Sequence, residues 1–124
     1  MKATIQWAGE ASFRAHTESG HTLVMDGPPD AGGQNRGPRP METVLAGTGG
    51  CTAFDVVSIL RKARQDVRDC RIEIEAERAP EPPQVFTRIH MHFVVTGRGI
   101  AEHHVRRAIE LSATKYCSAS IMLA

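Results

Sequence analysis

Pro40-Met41-Glu42-Thr43-Val44-Leu45-Ala46-Gly47-Thr48-Gly49-Gly50-Cys51-Thr52-Ala53-Phe54-Asp55-Val56-Val57-Ser58-Ile59-Leu60 is the stretch on which the fold turns. Met41, Val44, Leu45, Thr48, Thr52, Val56, Ile59, Leu60 and Ala63 recur at intervals of three and four, the spacing of one helical face. This predicts a central helix over residues 40–65, with Pro40 suited to its first turn. Between Val44 and Leu60 the only charge is Asp55. A helix apolar around most of its circumference is expected to be buried, and its Thr, Ser, Asp and Gly residues argue against a membrane span. Each of Gly47, Gly49 and Gly50 costs about 1 kcal/mol relative to Ala in a helix interior, so they need a reason. One is close approach of another helix, such as that of a symmetry mate; another is room for a substrate beside Cys51. A small cysteine buried at a helix crossing is the plainer reading, and the residues alone leave it open.

Outward from this helix the pattern is of strands. Residues 69–96 predict a hairpin: Cys70, Ile72, Ile74 and Ala76 alternate with Arg71, Glu73, Glu75 and Glu77, and Ile89, Met91, Phe93 and Val95 alternate with Arg88, His90, His92 and Val94. Pro80-Glu81-Pro82-Pro83 separates the two runs. A second helix is expected over 101–117, with Val105, Ala108, Ile109, Ser112 and Tyr116 at helical spacing. Residues 118–124 read as the start of a final strand. On the N-terminal side, residues 1–26 hold three short alternating runs, a small antiparallel meander. Residues 27–39 form a Gly/Pro loop: from Gly27 to Pro40, eight of fourteen residues are Gly or Pro. At 124 residues the chain is about one domain's worth, read as a single domain over 1–124.

Composition narrows the partners. The 124 residues carry 15 basic and 14 acidic side chains, a formal charge of +1, and 41% hydrophobic residues. No basic stripe suggests nucleic acid, and Arg61, Lys62, Arg64 and Arg68 suit a helix C-terminus. A chain this short gains from oligomerising, so a dimer is expected. Cys51, Cys70 and Cys117 are widely spaced, without C-x-x-C or a Cys/His cluster, which speaks against a disulfide scaffold and gives no metal site. The N-terminus lacks the apolar core of a signal peptide, so a reducing cytoplasm is expected. Gly47-Thr48-Gly49-Gly50 lacks the third glycine of a dinucleotide loop and the lysine of a Walker loop, and no cofactor is expected. His90 and His92 share a strand face, with Glu73, Glu75 and Glu77 expected opposite in a solvated ladder. Cys70 shares a face with isoleucines and reads as core.

The run from Pro40 to Thr52 resembles the signature of the OsmC/Ohr family, with a cysteine eleven positions after the proline. A second cysteine in Ser112-Ala113-Thr114-Lys115-Tyr116-Cys117-Ser118 matches the family's other cysteine near the end of its last helix. The resemblance implies an α+β OsmC-like fold in which two chains intertwine, antiparallel sheets wrapping long central helices. It also implies a thiol-dependent peroxidase acting on organic hydroperoxides or hydrogen peroxide, with Cys51 peroxidatic and Cys117 resolving, and a role in oxidative or osmotic stress protection. A lipoylated protein or small thiol would return the pair to its reduced state. A redox sensor or small-molecule binder on the same fold is the alternative.

One departure concerns activation of the thiolate. The peroxidase subgroups of the family place Glu directly after the proline, paired with an activating Arg; here Met41 holds that position and the carboxylate is Glu42. At about 100° per residue, Glu42 falls on nearly the opposite side of the helix from Cys51. Asp55 lies one turn beyond Cys51 on nearly its own face. Unpaired, it would raise the thiol pKa; paired, it could hold an arginine, with Arg14, Arg36 and Arg39 as candidates. Supporting candidates are thus Glu42, Asp55 and Arg39. The chain also stops about a strand short of the family pattern.

Overall fold

Alternation in the N-terminal segment produces the expected meander. In the computed structural model, which describes residues 1–124, Ala3–Trp7 (β1), Phe13–Thr17 (β2) and Thr22–Met25 (β3) form an antiparallel sheet in the order β1-β2-β3. Ile5 pairs with Ala15 and Trp7 with Phe13. This sheet and the following loop make up one unit, Met1–Val44, and Leu45–Ala124 makes up a second. The Gly/Pro loop is organised around Asp26, which is only 2% exposed. Its carboxylate accepts hydrogen bonds from the backbone N–H groups of Gly27 (2.7 Å), Gln34 (3.2 Å) and Arg36 (3.1 Å). A Cβ on Gly33 would collide with the Gly27 carbonyl, so the loop closes only with glycine there.

Burial alone would push the Asp26 carboxyl up, but the N–H groups of Arg36, Gly27 and Gln34 and the Arg36 charge outweigh it and hold it below the usual carboxylate range. A depressed folded-state pKa contributes stability that is present above the unfolded pKa and lost as pH falls through the folded one. Asp26→Asn is therefore expected to lower the urea unfolding midpoint at neutral pH and to differ progressively less from wild type as the solution is acidified. An equal difference at both ends of the titration would show that the charge plays no part.

The second unit is built on Pro40–Lys62 (α1), which begins at the end of the first. Its buried residues, Thr48, Gly49, Thr52, Val56 and Leu60, make one stripe. The expectation that most of its circumference is covered is not met within one chain: Phe54 is 75% exposed, and a Cβ on Gly47 or Gly50 would meet nothing within 4 Å. By length and composition α1 could cross a membrane, with 23 residues and a mean hydropathy of 1.4 in its most apolar window. Here the stripe instead packs into protein. Val56, Leu60 and Ala108 are each 0% exposed, and Ile59, Val67, Phe93, Val95, Val105 and Ile109 surround them.

Asp66–Arg78 (β4) and Phe86–Arg98 (β5) form the antiparallel hairpin, longer at both ends than the expected 69–96. Its register pairs Ile72 with Phe93 and Ile74 with Met91 on the inner face, and Glu73 with His92, Glu75 with His90 and Glu77 with Arg88 on the outer one. The outer face is the solvated ladder expected from the alternation. Gly49 of α1 approaches the hairpin closely enough that a Cβ would stand 3.9 Å from Ile74.

The last third departs from expectation in two places. The second helix is α only over Glu102–Leu111 (α2); Ser112–Tyr116 widens into a π-helical turn in which the Cys117 N–H donates to the Ser112 carbonyl at 2.8 Å. Residues five apart on a regular α-helix differ by about 140° in direction. The widened turn brings Ser112 and Cys117 inward together, both 0% exposed, and leaves Tyr116 51% exposed. Second, the segment expected to start a strand is a short helix, Ser118–Leu123 (α3). Its first turn is capped by the Cys117 sulfur, which accepts from the Ser120 N–H, and no strand edge is paired with it.

Candidate thiol site

Two elements deliver the site. Cys51 and Asp55 lie one turn apart on α1, and the π-helical turn delivers Cys117. The two sulfurs and a carboxylate oxygen of Asp55 all lie within 4.8 Å of one another. All three cysteines of the chain are free thiols, with Cys51 half-buried and Cys117 buried.

Cys117 is surrounded by hydrogen-bond donors. Its Sγ lies 3.1 Å from Ser120 Oγ, 3.4 Å from the Ser120 N–H and 3.2 Å from Thr52 Oγ1. Thr52 Oγ1 is also 3.1 Å from the Thr48 carbonyl and 3.2 Å from Ser120 Oγ. Since Thr52 has one hydroxyl proton, the network serves either form of Cys117. With the thiol, Thr52 donates to Thr48 and accepts from the S–H; with the thiolate, its proton turns to the sulfur. Burial alone would raise the Cys117 thiol pKa, but hydrogen bonds from Ser120, Thr52 and the Cys51 S–H outweigh it and hold it below its ordinary value. Cys51 is shifted the other way. The Ala119 N–H favours its thiolate, but its bond to Cys117, partial burial and the charges of Cys117 and Asp55 prevail and hold it up.

Asp55 accepts a hydrogen bond from Ser112 Oγ at 3.2 Å and takes part in none of the chain's ion pairs. Its proximity to Cys51 is the arrangement expected to dull the thiol. Asp55→Asn should therefore speed alkylation of Cys51 severalfold at neutral pH and move the pH midpoint of that reaction down. An unchanged profile would mean that the carboxylate charge does not reach the sulfur.

A cavity of about 410 Å³ lies on the Cys117 side of the site, separated from that sulfur by Thr52 and Ser120. Its walls include Phe86, Ile89, Met91, Phe93 and Ile109, and also Thr52 and Ser120, whose hydroxyls touch the Cys117 sulfur.

Residues 32–124 match the family described as OsmC-like protein. The chain belongs to the OsmC family. Escherichia coli K12 YhfA, a full-length relative, is 48% identical over 123 residues, covering 99% of this chain and 89% of YhfA. A crystal structure of an Aquifex aeolicus protein is 30% identical, with a TM-score of 0.85 over 98% of this chain and 85% of that one. An organic hydroperoxide resistance protein OsmC from Legionella pneumophila shares the fold at 20% identity, with a TM-score of 0.69 over 98% of this chain and 87% of that one.

For this OsmC family member the sequence expectations divide cleanly. Cys51, Cys117 and Asp55 come together. Glu42 and Arg39 do not join them, because both are engaged at the start of α1: Glu42 Oε1 accepts from the Arg39 N–H at 2.9 Å, and the Arg39 guanidinium donates to Asn35 Oδ1 and the Gly37 carbonyl. A carboxylate closing the first turn in this way complements the helix dipole. Cys70 is less buried than a core reading implies, lining a surface groove with Gly50, Phe54 and Arg61. Burial and the neighbouring Asp69 push its thiol up. Helical spacing marks Thr52 and Ser112 only as face residues and gives Ser120 no signal, although each stands within five residues of a site cysteine.

Proposed function

We propose that this protein is a thiol-dependent peroxidase for organic hydroperoxides or hydrogen peroxide, working through Cys51 and Cys117. The observation that carries the reading is the convergence of the two sulfurs, 66 residues apart in sequence, within 4.8 Å. Cys51 is the more accessible sulfur and attacks the peroxide as thiolate. An S–O bond forms, the O–O bond breaks, the alcohol leaves with the proton, and Cys51 becomes a sulfenic acid. Cys117 then attacks that sulfur, an S–S bond replaces the S–O bond, and water departs. The Ser120 and Thr52 hydroxyls favour Cys117 as thiolate, the form that attacks. A lipoylated protein or small dithiol restores both thiols, becoming a disulfide itself. The apolar cavity suits the organic part of a hydroperoxide.

The cytoplasm is the setting in which these thiols stay reduced between turnovers. The uncovered side of α1, with Phe54 75% exposed and glycines open to an approaching backbone, fits against a second copy of the chain as a homodimer. The second reading is a redox sensor or small-molecule binder. It is favoured by one observation, the raised Cys51 thiol beside an Asp55 that pairs with no cation.

Oxidation by an alkyl hydroperoxide, followed by mass analysis and thiol titration over a range of pH, separates the two. The peroxidase reading expects one intramolecular Cys51–Cys117 disulfide, formed faster as the pH rises. Both thiols remaining titratable at low peroxide, with saturable ligand binding unaffected by Cys51→Ser, would establish the second.

A further inference from the structure

We propose that Cys51, Asp55 and Cys117 form a binding site for a soft divalent metal ion of the zinc class. Metal–sulfur bonds of about 2.3 Å and metal–oxygen bonds of about 2.0–2.2 Å set tetrahedral donor atoms about 3.5–4 Å apart. The three donors already lie within 4.8 Å of one another, close to that spacing. Cys51 and Asp55, four residues apart on α1, present two ligands from one rigid helix face, and Cys117 supplies the third from the π-helical turn.

Each ligand is also held from behind. Ser112 Oγ donates to Asp55 Oδ2, the Ser120 N–H and hydroxyl and the Thr52 hydroxyl face Cys117, and the Ala119 N–H faces Cys51. Hydrogen bonds of this kind orient a ligand toward its metal. Charge points the same way. When deprotonated, these groups are three neighbouring anions, and none of the chain's ion pairs involves Asp55, so a dication supplies compensation. Two thiolates select a soft ion over magnesium or calcium, and three protein ligands leave a fourth position for water.

Binding replaces two S–H protons with one metal ion. Two protons are released and no electrons move, so affinity falls as the pH is lowered. The bound form also withholds both sulfurs from oxidation. None of this depends on whether the pair reduces peroxides. No zinc-finger spacing exists in the sequence because the ligands come from elements far apart along the chain.

The test is a cobalt titration of the reduced full-length protein, followed by zinc competition and read by absorption rather than turnover. Thiolate-to-cobalt charge transfer with tetrahedral ligand-field bands is expected at one ion per chain, lost on adding zinc. Cys51→Ser and Cys117→Ser should each reduce the charge-transfer intensity and weaken binding, and Asp55→Asn should weaken it by more than the roughly tenfold that loss of a group supporting a ligand costs. Cys70→Ser should titrate as wild type. Circular dichroism establishes that each variant is folded. Absence of charge transfer in the wild-type protein, its persistence at full strength in Cys51→Ser or Cys117→Ser, or its loss in Cys70→Ser would overturn the proposal.

Discussion

Cys51→Ser is expected to abolish hydroperoxide consumption, whereas Cys117→Ser should permit one oxidation per chain and then stall. The two sulfurs differ in a way that makes this informative. Cys117 is 0% exposed and is the more readily ionised thiol, while Cys51 is half-buried with its thiol raised. If access governs the first step, Cys51 is the nucleophile, and the Cys117→Ser chain accumulates a sulfenic acid on Cys51. Without a partner thiol that species persists until it is trapped by a carbon nucleophile or oxidised further to a sulfinic acid. If ionisation governed instead, the trapped sulfenic acid would appear on Cys117 in the Cys51→Ser chain at the wild-type rate. Mass analysis after peptide digestion locates the adduct. Wild-type turnover in either variant would dismiss the paired mechanism altogether.

Leu60→Ala should produce the largest loss of stability. Leu60 is 0% exposed and packs in the same cluster as Val56 and Ala108. Truncating a fully buried leucine removes its transfer free energy and leaves a cavity, together costing about 2–5 kcal/mol. Against a total of about 5–15 kcal/mol for a typical domain, that is a large fraction. The urea midpoint of the variant should fall accordingly with an unchanged slope. A loss below about 1 kcal/mol would mean that the surrounding side chains collapse into the space. The effect should extend to the thiols, because Leu60 lies on the α1 stripe that also carries Thr52, a hydrogen-bond partner of Cys117.

The sequence by itself determined the elements whose faces differ strongly in polarity. The alternation over residues 69–96 established the inner and outer faces of the hairpin and set Glu73, Glu75 and Glu77 on the face of His90 and His92; the register that pairs Glu73 with His92 and Glu75 with His90 came from the structure. Spacing along α1 placed Asp55 one turn from Cys51, and the pair of cysteine motifs pointed to the OsmC family before any coordinates. The π-helical turn at Ser112–Tyr116 and the helix at Ser118–Leu123 were not legible. A π-turn adds a residue to a helical repeat without altering composition, so periodicity carried past it keeps the wrong phase. The Ser118–Leu123 helix depends on a cap from the Cys117 sulfur, which exists only once that sulfur has turned inward.

Tertiary structure alone decided which groups touch. Helical spacing already set Glu42 on the side away from Cys51, and it closes the first turn of α1 by accepting from the Arg39 N–H, a local contact. Thr52 and Ser112 are polar residues whose spacing marks only a helix face, Ser120 carries no signal, and only packing showed that they bond to Cys117 and to Asp55. Local pattern reports on backbone hydrogen bonding and on which face is apolar. Relative thiol acidity is set by donors and charges within a few ångströms, and here those come from α1 and from the far end of the chain, which only folding brings together.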